Sequence, residues 1–375
     1  MEVKKIARVV GYCALLAVVA MVSAEVTSRI EDLVRFGTPL SVSPDFDRDL
    51  FDDFGHGDKR GKPNGHYKHI ELNQFGFRAP HMESHPAGGV CRVMLLGASE
   101  TFGMYESPGK NYPDQLRDEL KSKGSFEVVN TAIPGMTLQS VLKAYDERLS
   151  AFKPGVVVIY VSPLFDLNIP IREKTNPSTE TESIKPKPIA PETPTKTVSA
   201  PIRSRFIHRL PDVIDKPEFI QRMLDARVIA QQRKSLTVFS EVPTEIVDRH
   251  LENLQQLVQS IEKSGSIPIL VTHAIQVQFP PTDSDIRLLE SAITNTPRAT
   301  PAILLEYEEC ICQRIITLAQ QKNIELVDLA GLLNGHHEAF GDLVHFTDLG
   351  AKQAALAVAN GILNQSGRIE RIKNP

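Results

Sequence analysis

The chain has no tryptophan among its 375 residues, which excludes a tryptophan-lined sugar platform and leaves only tyrosine and phenylalanine to stack on a ligand. Cysteine is scarce as well. The four present do not make a disulfide framework. Cys13 lies in an apolar N-terminal run and Cys91 opens a strand-like one. Cys310 and Cys312 sit two apart in a helical pattern, where their side chains diverge. A Cys-x-Cys pair with no second Cys/His cluster is poor support for a metal, and scattered buried thiols are the plainer reading. Positive charge is not in excess either. A formal net charge of −4, with no Lys/Arg-dense block interleaved with aromatics, argues against a general nucleic-acid binder. His56, His66, His69, His81 and His85 are spaced to fit no metal-ligand pattern, so they read as part of a solvated lead-in. No internal repeat is visible.

What is present begins at the N-terminus. Lys4, Lys5 and Arg8 precede Val9–Ala24, a run without charge. Such a segment is a secretory leader or a short membrane anchor. Val22-Ser23-Ala24 would suit signal peptidase. Counted from Ile6 with Arg8 snorkelling, however, the run nearly spans a bilayer, which favours an uncleaved anchor. Both readings keep the basic cluster inside and export the bulk of the chain. A buried core helix would leave the basic cluster unexplained.

Residues 25–88 are polar and rich in Gly, His and Asp. They read as a juxtamembrane lead-in that meets the folded domain only near Asn73–Pro80. From Cys91 onward, strand-like and helix-like stretches alternate. The strands are CRVMLLG, FEVVN, GVVVIYV, SIPILVTHA and IELVDLA. Gly155–Val161 is nearly uninterrupted and β-branched, as a strand covered on both faces requires. NYPDQLRDELKSKG carries Pro113 in its first turn and stops at Gly124, a well-punctuated helix. Another helix spans about 301–321, and the last follows Thr347. This alternation predicts an α/β fold, a three-layer α/β/α sandwich on a parallel five-stranded sheet. Between the third and fourth strands, Thr175–Pro201 is rich in Pro, Thr, Ser and Lys, with few bulky apolar residues to offset chain entropy. Two helices are expected beyond it, over about 212–236 and 244–264, and together the segment reads as an insertion at 170–264 on the sheet edge. The expected organisation is an anchor or leader over 1–24, the lead-in, and one domain over 89–365.

Two stretches carry chemistry. GASETFG (Gly97–Gly103) puts Ser99 where the first strand gives way to a helix, and DLVHFT (Asp342–Thr347) holds Asp342 and His345 three apart. Serine is a weak nucleophile until a histidine takes its proton, and the histidine needs an acceptor to fix its tautomer. Ser99 alone could equally be a helix N-cap, and Asp342 and His345 alone a loop pair. Both sites fall on strand-end loops of one sheet, where α/β folds bind ligands.

Taken together, these blocks resemble the SGNH (GDSL-type) hydrolases, whose members open on Gly-Asp-Ser after the first strand and close on Asp-x-x-His before the last helix. The upstream NQFGFRAP is similar to the lead-in of membrane-anchored bacterial members. The resemblance covers about residues 70–170 and 265–365. It implies Ser99 as nucleophile, His345 as general base and Asp342 as its orienting acceptor. It further implies an oxyanion hole from the N–H groups of Ser99 and Gly135, the latter within NTAIPGMT, where a plain turn glycine is the alternative. The third block departs from the family. Where Gly-x-Asn-Asp is expected after the third strand, the chain reads YVSPLFDLN, so Asp166 matches but Phe165 stands in the Asn position. Asn168 could substitute only in a remodelled loop. Ala98 replaces the aspartate before the serine. Losing one oxyanion donor typically costs about a hundred- to a thousandfold in rate. His273, at the end of the fourth strand, reads as a packing or rim residue.

The expected function is an exported serine esterase or deacylase acting on ester-linked acyl groups, with an envelope glycan or lipid as substrate, and with no metal or organic cofactor. Two alternatives stay open: an O-acyltransferase of extracytoplasmic polysaccharide using the same residues, and a catalytically degenerate binding or assembly subunit.

Overall fold

The computed structural model describes residues 2–41, 44–55, 57–168 and 218–373. Thr175–Pro201 and His56 lie outside the described residues. The chain divides into two compact units, Met1–Asp45 with Pro170–Pro217, and Phe46–Ile169 with Glu218–Pro375.

In the first unit, α1 is a single helix, Glu2–Phe36, of 35 residues. Its stretch Arg8–Phe36 is long and apolar enough to cross a membrane, with an 18-residue window of mean hydropathy 2.1. Ala24 marks no break in the helix. The charges beyond it are compatible with helix because they pair one turn apart: Arg29 with Glu25 at 2.6 Å and Arg35 with Glu31 at 3.0 Å.

The second unit is built on five parallel strands, β1 (Cys91–Gly97), β2 (Phe126–Asn130), β3 (Val156–Tyr160), β4 (Ile267–Val271) and β5 (Glu325–Val327). Their order is β2-β1-β3-β4-β5. Val93 sits opposite Val128 on one side and Val156 on the other, and Ile269 opposite Val158 and Glu325. Every residue of β1, β3 and β4 is buried, because helices cover both faces. Against one face lie α3 (Tyr112–Leu120) and α9 (Asp348–Asn364), which meet the odd-numbered residues of β1. Opposite them pack α4 (Leu138–Glu147), α6 (Thr244–Lys263) and α8 (Pro301–Lys322). The three-layer α/β/α sandwich is the architecture the alternation predicts.

Two expectations need correction. The helix over 244–264 is not part of an edge insertion. Strands β3 and β4 are parallel neighbours, so their connection must cross over the sheet, and α6 is that crossover. Its Ile246, Val247, Leu254, Leu257, Val258 and Ile261 are all buried. Before it, the described residues of this connection form the turn Leu164–Asn168 and α5 (Glu218–Arg233), where Arg233 donates to the carbonyls of Pro297 and Ala299.

Nor does the lead-in touch the domain only near Asn73–Pro80. Two small hairpins (51–53 with 59–61, 66–67 with 70–71) precede that block. Phe46 and Phe51 set their rings edge-on against Phe102, with centroids 6.0 and 5.7 Å apart. These few aromatics bury a segment whose average composition is polar. Arg92 of β1 anchors the lead-in from inside. Its fully buried guanidinium donates to Glu127 Oε2 at 2.7 Å, to the carbonyls of Ser84 and Glu83 at 2.9 and 2.7 Å, and to that of Phe152 at 2.5 Å.

Candidate active site

Gly97 ends β1, and its lack of a side chain lets the chain turn back across the sheet. A Cβ there would stand 2.1 Å from Thr101 Oγ1 and 2.6 Å from the Tyr160 carbonyl oxygen. The short helix α2 (Ser99–Phe102) follows at once, with Ala98 as its N-cap and no side-chain cap bond. Ser99 is therefore not the N-cap. It is the first helical residue, and at that position its amide has no intrahelical acceptor.

Three elements pin α2. Thr101 Oγ1 donates to the Tyr160 carbonyl at 3.1 Å, and Asn130 Nδ2 donates to the Thr101 carbonyl at 3.0 Å. Arg78 Nη1 donates to the Phe102 carbonyl at 2.8 Å and also to that of Gly103. The NQFGFRAP block thus reaches the end of the candidate nucleophile's helix. The Ser99 hydroxyl, on a residue 8% exposed, makes a long 3.4 Å bond to Glu100 Oε2.

Asp342 organises the opposite loop. Its Oδ1 accepts the backbone N–H groups of Val344 at 3.0 Å and His345 at 2.9 Å. His345 Nδ1 lies 2.9 and 2.8 Å from Oδ1 and Oδ2. Gly341 N donates to the His345 carbonyl at 2.8 Å, closing the loop. Thr347 caps α9 immediately afterwards. The Tyr105 ring meets the imidazole edge-on at 5.0 Å between centroids. Burial works against ionisation of Asp342, but the imidazole and the backbone donors outweigh it and hold the carboxyl at about 2. Burial also works against a charged His345, yet Asp342 and the Glu100 charge raise its pKa. His345 Nε2 is buried with no hydrogen-bond partner among the described residues. That nitrogen is the one a general base would use.

Ser99, Glu100, Ser162, Phe165, Asp342 and His345 line one cavity of about 220 Å³. Its outer wall comes from α7 (Asp283–Ala292) and the turn after it, through Leu288, Asn295 and Thr296. The structure therefore brings Ser99, Asp342 and His345 together. Gly135 is not among the lining residues; it is an exposed turn glycine at φ +81°. Phe165 does line the cavity, on a turn (Leu164–Asn168) after β3. Asn168 does not substitute for the missing Asn, because its amide is donated to the Asn295 carbonyl at 2.7 Å. Asp166 is buried against His250 Nδ1 of α6 at 2.7 Å, a clamp on the crossover helix. His273 lies deep in the packing, with Nδ1 3.0 Å from Glu308 Oε2. No group of three or more His, Cys, Asp or Glu side chains among the described residues is arranged to hold a metal, and the four cysteines are free thiols.

Sequence reasoning missed Glu100, Ser162, Thr296 and the whole α7 wall. The signal for Glu100 was available, since it directly follows the serine in GASETFG.

No protein-family model and no curated protein sequence matches the chain. Among solved structures, it is similar to a lipase/acylhydrolase from Enterococcus faecalis at 15% identity and TM-score 0.39, covering 73% of this chain and 96% of that one. It is likewise similar to an acetyl xylan esterase, AlAXEase, at 14% identity and TM-score 0.39, covering 72% and 99% of the two chains. A variant of an acetyl-xylooligosaccharide esterase from Geobacillus Stearmophilus aligns at 14% identity and TM-score 0.39, covering 77% and 96%.

Proposed function

We propose that the chain is a serine esterase or deacylase of the SGNH type, tethered through α1 with its α/β unit on the extracytoplasmic side. The observation that carries this reading is the state of His345. Its Nδ1 is fixed on Asp342 while its Nε2 is free, in the cavity that Ser99 also lines. An imidazole held this way is oriented to take a proton, and a carboxylate behind it stabilises the imidazolium that results.

In the reaction proposed, Ser99 Oγ attacks an acyl carbonyl and His345 Nε2 takes the hydroxyl proton. The carbonyl π electrons move onto oxygen, where the Ser99 amide is a backbone donor that the resemblance implies. The leaving alcohol then receives the proton from His345, and water repeats the sequence on the acyl-serine. The basic cluster of Lys4, Lys5 and Arg8 at the start of α1 supports the extracytoplasmic side. Export in turn favours ester-linked acyl groups of an envelope glycan or lipid as substrate. An acyl transferase differs only in that a sugar hydroxyl replaces the water.

Phe165 in the cavity, and Gly135 outside its lining, favour a second reading in which the site binds without turning over. A fluorophosphonate probe separates the two. Covalent labelling of the full chain, lost in Ser99→Ala and in His345→Gln, supports the enzyme; a folded wild type that neither labels nor cleaves acetyl esters overturns it. A time course with acetyl ester, with and without a glycan acceptor, distinguishes hydrolysis from transfer.

A further inference from the structure

Glu100, the residue after the serine, is 2% exposed and lines the same cavity as Ser99 and His345. A carboxylate buried so deeply ordinarily takes up a proton. Here it has a partner: His273 Nε2 lies 3.6 Å from Glu100 Oε1. On its other side, His273 Nδ1 meets Glu308 Oε2 at 3.0 Å. The three side chains come from α2, the end of β4 and α8, and each is at most 2% exposed. They form a buried row with one more carboxylate than imidazole, so a net negative charge remains. The other oxygen of Glu100, Oε2, accepts the 3.4 Å bond from Ser99 Oγ.

We propose that Glu100 is a second carboxylate of the catalytic site: kept ionised by the His273–Glu308 pair, it accepts the Ser99 hydroxyl at rest and, with Asp342, offsets the charge His345 gains once that proton turns to its Nε2. This rests on the reading of Ser99 as nucleophile and His345 as base. In the step itself, the Oγ–H bond breaks toward His345 Nε2 and the Oγ–C bond forms. Glu100 exchanges no proton; it is a positioning residue.

The surrounding groups agree with that charge state. Burial opposes ionisation of Glu100, yet His273 beside it, and His345 further off, pull its carboxyl below the usual range. Burial opposes a charged His273 too, and Glu308 and Glu100 push it up to about 10. Two neutral groups also meet His273: the Tyr160 ring, 5.7 Å away between centroids, and the Cys312 thiol, which donates to the His273 carbonyl. Glu309 and Asp328 line a cavity with it. The Tyr112 and Tyr160 phenols near Glu100 are held protonated by burial and by the carboxylate itself. Around His345 the remaining groups are Asp342, Tyr105 and Glu106. Glu106 is itself pushed up to about 7 by burial.

A negative Glu100 also stands near the oxyanion that develops on the substrate, which tends to cancel its benefit at the plateau. Its signature is therefore the protonation of His345 rather than the maximal rate. The test uses the full chain in detergent, comparing wild type, Glu100→Gln, His273→Gln and the double variant. Two readouts are followed against pH: the His345 ring resonance by NMR, and the rate of fluorophosphonate labelling. We expect Glu100→Gln to move both curves to lower pH, so that on the acidic limb it keeps about threefold more of its plateau rate than wild type. His273→Gln moves them the same way, because Glu100 then takes up a proton. The double variant moves no further than Glu100→Gln. A folded Glu100→Gln chain whose two curves superimpose on wild type overturns the inference, as does a double variant showing the sum of both shifts. Should His273→Gln fail to fold, the isosteric Glu100→Gln decides alone. The ring titration needs no turnover, so a wild type that never labels removes the esterase reading while the charge relation is still measured.

Discussion

Asp342 grips His345 twice over: a carboxylate oxygen lies 2.8 Å from the ring Nδ1, and Oδ1 also accepts the backbone N–H of the same histidine at 2.9 Å. Side chain and backbone are fixed by one carboxylate, so the ring's tautomer and its direction are set together. This leaves Nε2 as the basic nitrogen, buried and unpartnered.

The pH dependence of acylation follows from that grip. In the proposed reaction His345 acts as base only when neutral, and Asp342 and Glu100 raise its pKa. The rate therefore falls as pH drops through a value above that of a free histidine. Asp342, held at about 2, stays ionised throughout this range. In Asp342→Asn the amide cannot stabilise an imidazolium, and one accepting oxygen replaces the two that serve the ring and the backbone donors. The labelling rate is expected to fall about a thousandfold or more, with the acidic limb moved to lower pH. Labelling rates measured across the pH range in both proteins check this.

Stability reports on the buried row as well. The His273 pKa is raised in the folded state to about 10 from an ordinary 6.5. Its contribution is fully present below that ordinary value and is lost as pH rises toward 10. Glu100 and Asp342 have the opposite sign: their folded pKa values are depressed, so their contributions are present above the ordinary carboxyl range and lost as pH falls. Thermal melts of the wild type should decline toward alkaline pH more steeply than those of His273→Gln, whose alkaline limb flattens.

How much of this was legible in the chain depends on which kind of residue carried it. The strands were readable because β3 and β4 are buried on both faces and appear as unbroken apolar runs. Ser99, Asp342 and His345 were readable as candidates because a serine and an Asp/His pair lie in short local motifs at strand ends. The row Glu100–His273–Glu308 was not, because its members lie 173 and 35 residues apart in sequence and meet only through the fold. Gly135 shows the reverse failure. A glycine with positive φ fits any turn, so its position after β2 could not say whether its amide reaches the cavity. The crossover helix α6 was misassigned because the uncommon composition of the segment before it drew the whole connection into one insertion.

Arg92 tests the link between the lead-in and the sheet. Its buried guanidinium holds Glu127 and three carbonyls, two of them on the lead-in. In Arg92→Leu those acceptors lose their donor inside the fold, at a cost of about 3 kcal/mol or more. Chemical denaturation is expected to show that loss, and limited proteolysis to show earlier cleavage within residues 46–88. A variant as stable as wild type would mean that water replaces the arginine there.

Gly97 offers the sharpest test of how the sheet positions the nucleophile. In Gly97→Ala the added carbon meets Thr101 Oγ1 at 2.1 Å and the Tyr160 carbonyl oxygen at 2.6 Å. The hydroxyl can rotate away, but Thr101 Cβ, at 2.4 Å, and the carbonyl of the central strand β3 cannot, so α2 must move. Overpacking of this kind costs about 1–3 kcal/mol, which leaves the protein folded if its stability is ordinary. The displacement acts directly on Ser99, one residue beyond the N-cap, and a shift of about 1 Å at a reacting atom costs about a hundredfold in rate. Labelling of Gly97→Ala should therefore fall far more than its melting temperature implies. Adding Thr101→Ala removes only the hydroxyl clash and not the backbone one, so it is expected to recover stability more than rate. Equal recovery of both would show that the side chain, and not the strand, sets where α2 begins.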